Sequence, residues 1–124
     1  MNTALAVFVG GGLGSLARFG VGRWMQFVLP TTFPYGTLMS NILSSLIVGL
    51  FIGVSSETIE NENPWKFLIA VGFCGGFSTF STFSAETFEL LKNGLYFAGG
   101  INIAANLVTC LLMIGVGVWI GKLF

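Results

Sequence analysis

The chain has 124 residues, 54% of them hydrophobic and 8% charged, with no histidine and a formal net charge of zero. A soluble domain carries about 25% charged residues, so a mean hydropathy of +0.88 marks an integral membrane protein. Zero net charge argues against nucleic acid and other polyanionic partners. Without histidine, and with only Cys74 and Cys110, zinc and redox chemistry have no ligand set.

Four apolar segments follow one another, each meeting the requirement of about 20 residues for a spanning helix. The first is expected over residues 2–27. It has no positive region ahead of it, and Arg18 follows the apolar run, which does not fit a cleaved signal peptide. Leu29-Pro30-Thr31-Thr32-Phe33-Pro34 separates it from a second helix over residues 36–54. The most polar stretch, residues 55–64, holds Glu57, Glu60 and Glu62 and reads as a loop. A third helix over residues 65–91 is expected to break at residues 75–78, because adjacent glycines make a poor helix interior. Lys92-Asn93-Gly94 is a short turn, and a fourth helix takes residues 95–120. The sequence thus reads as one transmembrane domain, 1–124, all-α. Cys74 and Cys110 lie inside apolar segments and read as buried thiols rather than as a disulfide.

Glycines recur at small-xxx-small spacing in every span, as Gly10 and Gly14, Gly49 and Gly53, Gly72 and Gly76, and Gly117 and Gly121. Such pairs let membrane helices approach closely. Whether they pack within one chain or between copies is not readable from spacing.

The basic residues give no orientation signal. With four spans, Lys66 and Lys122 fall on one side of the membrane, Arg23 and Lys92 on the other, and Arg18 sits inside helix one. Orientation follows Lys and Arg bias, so this balance fits a chain that inserts both ways and pairs with its inverted copy. Chance balance among so few charges is the alternative.

Polar groups inside the spans are few, and each is a functional-site candidate by default. After Gly75-Gly76 come five hydroxyls within seven residues, Ser78, Thr79, Ser81, Thr82 and Ser84, interleaved with Phe77, Phe80 and Phe83. A backbone break at membrane depth needs protein or a cavity around it, and freed carbonyls there suit a cation. Single hydroxyls commonly bond back to their own helix; five beside a break favour a lined path. Thr79, Thr82 and Glu86, at i, i+3 and i+7, are expected on one face. Asn41 offers two donors to an anion, one acceptor to a cation, or an interhelical hydrogen bond. Asn106 and Thr109 on helix four have the same interhelical hydrogen-bond alternative, and Asn102 is a further polar group on that helix. Glu86 reads as a proton carrier, a cation ligand or an acceptor orienting Thr82. Arg18 reads as an acid's partner, a carbonyl cap or an anchor snorkelling to the headgroups. A phenyl ring has a positive edge, but periodicity alone says only that the face beside Phe80 and Phe83 is polar, uncharged and rich in donors.

Three segments together resemble the CrcB/Fluc fluoride channels: Gly11-Gly12-Leu13-Gly14-Ser15-Leu16-Ala17-Arg18, Gly36-Thr37-Leu38 with Asn41, and Gly75 through Ser84 with Glu86. The third is highly specific and the first two are weak alone. The resemblance implies an antiparallel, dual-topology homodimer with two fluoride pores and a structural sodium ion at the subunit interface. It implies that Phe80 and Phe83 are pore phenyls and Asn41 a pore asparagine supplied by the other subunit. Thr79, Ser81, Thr82 and Glu86 would then form or support a polar track, with Asn106 the expected contributor from helix four. The backbone carbonyls of Gly75 and Ser78 would hold the sodium, and Arg18 would be structural or at a vestibule. The implied role is passive export of fluoride across a prokaryotic inner membrane, relieving its toxicity in the cytoplasm.

The main rival is a small dual-topology proton-coupled multidrug or cation transporter. Such proteins rely on a glutamate in the first helix, and here helix one has no acid. A non-transporting assembly factor leaves the donor-rich stretch unexplained. An enzyme would need a nucleophile–base pair, a metal set or a phosphate loop, and none is present.

Overall fold

The computed structural model describes residues 2–55 and 64–124. Helix α1 runs Thr3–Val28, started by the Asn2 side chain, which accepts from the Ala4 N–H at 2.8 Å. That contact satisfies one of the donors a helix start leaves unpaired. Pro30 and Pro34 break the chain, and α2 runs Tyr35–Ser55. Of the polar loop expected over residues 55–64, Ser55 closes α2 and Pro64 is already helical; Glu57, Glu60 and Glu62 lie outside the described residues.

The third span, Lys66–Lys92, is assembled from three pieces. Helix α3 (Lys66–Phe73) is π-helical, and at its end the Cys74 N–H reaches back to the Ile69 carbonyl. Helix α4 (Cys74–Phe77) is a single α-turn. Ser78 and Thr79 are extended, and α5 (Phe80–Lys92) follows. Gly75 and Gly76, where the break was expected to begin, are therefore helical, and the non-helical residues are Ser78 and Thr79. The side chains account for the shift. Ser78 turns its hydroxyl back to the Cys74 carbonyl at 2.7 Å, and Thr79 caps α5 by accepting from the Thr82 N–H at 3.2 Å. Short hydroxyl side chains compete with the helical ladder in this way, and here they end one helix and begin the next.

Helix α5 closes with Gly94 at φ +80°, a conformation that glycine adopts without penalty. Around it the Gly94 N–H bonds to Leu91 and the Leu95 N–H to Leu90, both carbonyls of the last turn. This is the glycine-terminated helix end of a Schellman motif, and it turns the chain into α6 (Tyr96–Gly121). Together α1, α2, the third span and α6 are four helices long and apolar enough to cross a bilayer.

The spans pack through the glycine pairs. A Cβ added at Gly72 would meet the Gly10 Cα at 3.0 Å, and one at Gly14 would meet the Phe77 backbone, so α1 lies backbone to backbone on α3 and α4. Gly49 likewise faces Gly117 and Gly53 faces Gly121: a Cβ added at Gly49 or Gly53 would meet the opposing Cα at 3.0 or 2.9 Å. All four pairs are thus spent on contacts within one chain. Without a hydrophobic drive between helices in lipid, such close approach supplies the packing. Cys74 and Cys110 are both free thiols.

Candidate functional site

The short extended segment between α4 and α5 organises the polar groups around it. The Cys74 carbonyl receives three donors: the Ser78 N–H at 2.9 Å, the Ser78 hydroxyl, and the Ser44 hydroxyl of α2 at 3.1 Å. Two other carbonyls lose their ordinary donors. The Thr79 N–H, which would close a helical bond to Gly75, goes to the Asn41 Oδ1 at 3.0 Å. The Thr82 N–H, which would serve Ser78, goes to the Thr79 hydroxyl. Gly75 and Ser78 therefore hold carbonyls released from the ladder at membrane depth, where a freed backbone group is tolerated only against protein or a cavity.

A groove of about 280 Å³ opens beside this segment, lined by Asn41, Ser78, Thr79, Phe80, Phe83, Asn106 and Cys110 among others. The Phe80 and Phe83 rings stand 5.5 Å apart at 53°. Phe83 is buried, whereas Phe80 is 77% exposed, so one wall of the groove is open on the single chain. Asn41, expected from the other subunit, lines the groove of its own chain, where its Nδ2 donates to the Asn106 Oδ1 at 2.9 Å. The Thr79 hydroxyl lies 3.2 Å from that of Ser81 and 3.3 Å from that of Thr82. Polar donors, hydroxyls and two phenyl rings meet here, and among the described residues no charged side chain lines the groove.

Not every predicted residue reaches it. Glu86 lines a second, larger cavity of about 530 Å³ together with Arg18, Arg23, Gln26 and Thr37. Glu86 and Thr79 were expected on one face, but they serve different cavities. Nor does Glu86 orient Thr82: its carboxylate accepts from the Thr37 hydroxyl on α2. Thr37 was not singled out by the sequence beyond its place in Gly36-Thr37-Leu38, although a hydroxyl one turn before Asn41 on the same helix was a usable signal. Arg18 caps a carbonyl, donating from Nε to Gly76 at 3.1 Å. Gly75, Ser81 and Thr82 line neither cavity. On α6, Asn106 is joined by Asn102, whose side chain is fully buried and hydrogen-bonded. Thr109 only bonds back to the Ala105 carbonyl.

Four spans long and apolar enough to cross a bilayer, with donors gathered where one span changes from helix to extended chain, define a small multi-pass membrane protein. Residues 5–118 match the family model described as CrcB-like protein, Camphor Resistance. A protein of Coxiella burnetii named fluoride-specific ion channel FluC is 41% identical over 123 residues, covering 98% of each chain. Proteins with the same name from Pyrococcus abyssi and Leptospira interrogans are 40% and 41% identical, covering 94% and 99% of this chain and 94% and 97% of their own. The chain belongs to the CrcB family.

Proposed function

We propose that this chain is a fluoride-selective ion channel, an exporter rather than an enzyme, that lets fluoride leave the cytoplasm down its electrochemical gradient. The observation that carries the reading is the groove itself, where Asn41, Asn106, Ser78 and Thr79 face the Phe80–Phe83 pair with no fixed charge among them. Fluoride is small and holds its water tightly, so a path must replace that water with many donors. Amide and hydroxyl groups supply donors, and phenyl edges add a weak positive potential. A fixed cation in the same place would hold the ion too long, whereas conduction needs sites weak enough to release it.

The open wall at Phe80 gives the reason for a second copy. In this reading two chains, inserted in opposite orientations across a prokaryotic inner membrane, close each other's grooves into two pores. The balanced placement of Lys66 and Lys122 against Arg23 and Lys92 suits such dual insertion. The larger cavity, with Arg18, Thr37 and Glu86, serves as the aqueous approach.

The released carbonyls of Gly75 and Ser78 fit a hard cation that takes oxygen ligands. Two chains would contribute four such carbonyls to a sodium ion between them. When bound, the ion would supply the positive charge that these unpaired carbonyl dipoles otherwise lack. What the chain's own residues do is independent of it: Asn41 and Thr79 fix the extended segment, and α5 then carries both phenyl rings.

The test is fluoride efflux from liposomes holding the purified protein, with chloride in parallel and Phe80→Ile and Asn41→Asp as controls. Fast fluoride loss, independent of an imposed pH gradient, absent for chloride and abolished in both variants, is the expected result. Retention of fluoride by the wild-type liposomes would overturn the reading. Efflux that requires a proton gradient would replace the channel by a proton-coupled transporter working through Glu86.

A further inference from the structure

The amides of α2 and α6 form one directed chain of hydrogen bonds. The Thr79 N–H donates to the Asn41 Oδ1 at 3.0 Å, and the Asn41 Nδ2 donates to the Asn106 Oδ1 at 2.9 Å. The Asn106 Nδ2 then donates to the Asn102 Oδ1 at 3.0 Å and to the Asn102 carbonyl at 2.8 Å. The Asn102 Nδ2 donates to the Thr87 hydroxyl at 2.9 Å, which donates to the Phe83 carbonyl at 2.8 Å. The chain leaves the start of α5 at Thr79, passes through α2 and α6, and returns to α5 at Phe83.

Its ends decide its direction. A backbone N–H can only donate, so Thr79 requires an oxygen from Asn41; at the other end the Thr87 hydroxyl, accepting from Asn102, gives its proton to the Phe83 carbonyl. Between them each asparagine has one orientation that satisfies both neighbours. The Asn102 carbonyl, acceptor only, fixes Asn106 a second time. Asn41 is thereby left with one amide proton for the groove it lines. Reversing any of the three asparagines would set oxygen against oxygen or N–H against N–H, leaving polar groups without partners.

We infer that Asn102 and Thr87 are positioning residues for the ion path: they line no part of the groove but bond to Asn106 and Phe83, which do, and through them help set which face of the Asn41 amide, and so which donor, is presented to the ion. Both are buried, with Asn102 at 1% and Thr87 at 6% exposure, and neither lines either cavity. Because the chain returns to Phe83, the same links also hold the phenyl pair in register with Asn41. This inference rests on the groove being the fluoride path.

The experiment compares Thr87→Val, which removes the hydroxyl, with Thr87→Ser, which keeps it, and adds Asn102→Ala to cut the chain one link nearer Asn41. Two quantities are read on each purified, monodisperse variant. One is fluoride efflux from liposomes; the other is the pair of side-chain amide resonances of Asn41 in ¹⁵N-labelled protein in detergent. Losing one buried link is expected to slow efflux about tenfold in Thr87→Val and Asn102→Ala, with the Asn41 resonances displaced in both. Thr87→Ser should restore both readouts to wild type. Unmoved Asn41 resonances in Thr87→Val and Asn102→Ala would overturn the inference, whatever the flux does, since a flux loss without them would be a packing effect. Should wild-type protein carry no fluoride, the channel reading falls by itself, while the resonances still decide whether Thr87 and Asn102 orient Asn41.

Discussion

The Arg18 guanidinium donates through Nε to the carbonyl of Gly76, 3.1 Å away and 58 residues further along the chain. One side chain of α1 thus holds the last turn before the third span becomes extended. Replacing Arg18 by Met leaves that carbonyl without its donor, and Arg18→Lys offers a point charge on a differently shaped stem. Both variants should melt earlier in detergent, with Arg18→Met losing on the order of 1–3 kcal/mol as a charged hydrogen bond is removed. Thermal melts of the two purified variants measure this. Equal melting of Arg18→Met and wild type would assign Arg18 no part in holding α4.

Glycine substitutions should divide sharply by position. At Gly49 and Gly117 an added methyl runs into the opposing helix backbone, which has no side chain to move aside. At Gly20 an added methyl meets nothing within 4 Å. Gly49→Ala and Gly117→Ala are therefore expected to lower expression of folded protein and to broaden its elution from a sizing column. Gly20→Ala should elute as wild type.

Thr79 caps α5 through its hydroxyl, and the cap costs about 0.5–2 kcal/mol to remove. Thr79→Ala is expected to lose that much stability and to slow fluoride efflux, because the same segment carries Phe80. Thr79→Ser keeps an acceptor for the Thr82 N–H and should recover most of both. Paired melting and efflux measurements on the two variants check the expectation.

Phe80 and Phe83 stand together but differ in burial, and this separates conduction from folding. Phe80 packs little within the chain, so Phe80→Ile should abolish fluoride efflux with the protein's melting temperature nearly unchanged. Phe83 is 8% exposed, and Phe83→Ala removes a buried ring at a cost of about 3–5 kcal/mol. That variant should lose stability together with flux, and melting curves read beside efflux distinguish the two positions.

Much of the architecture is legible in the chain itself, because a bilayer demands long apolar runs and the turns between them are marked by Pro30, Pro34 and Gly94. The glycine pairs were legible as packing faces, but their partners were not. Spacing along one helix does not say that Gly49 meets Gly117 rather than a second copy. The break expected at residues 75–78 meets the extended Ser78–Thr79 segment only at Ser78, for a specific reason. Glycine propensity pointed to Gly75-Gly76, whereas the hydroxyls of Ser78 and Thr79, which bond to the backbone on either side, decide where the helix ends. Within the site, Asn41, Phe80, Phe83 and Asn106 come together as a group. Glu86 takes its hydrogen bond from Thr37 of α2 rather than from Thr82 of its own helix, a cross-helix partner that spacing along one segment does not signal. The link from Asn102 to Thr87 joins two helices across a turn, and nothing in either segment alone signals it.

That every glycine stripe is spent inside the chain has a consequence for how this molecule meets its surroundings. Much of what remains on its outer surface is bulky, with Phe8, Leu16, Phe80, Phe88 and Leu111 all standing well clear of the fold. A contact made over those side chains depends on how they interlock rather than on how near two backbones come. Such a surface can be retuned one side chain at a time while the helix axes stay where they are. The interior, where one methyl group is too many, has no such freedom.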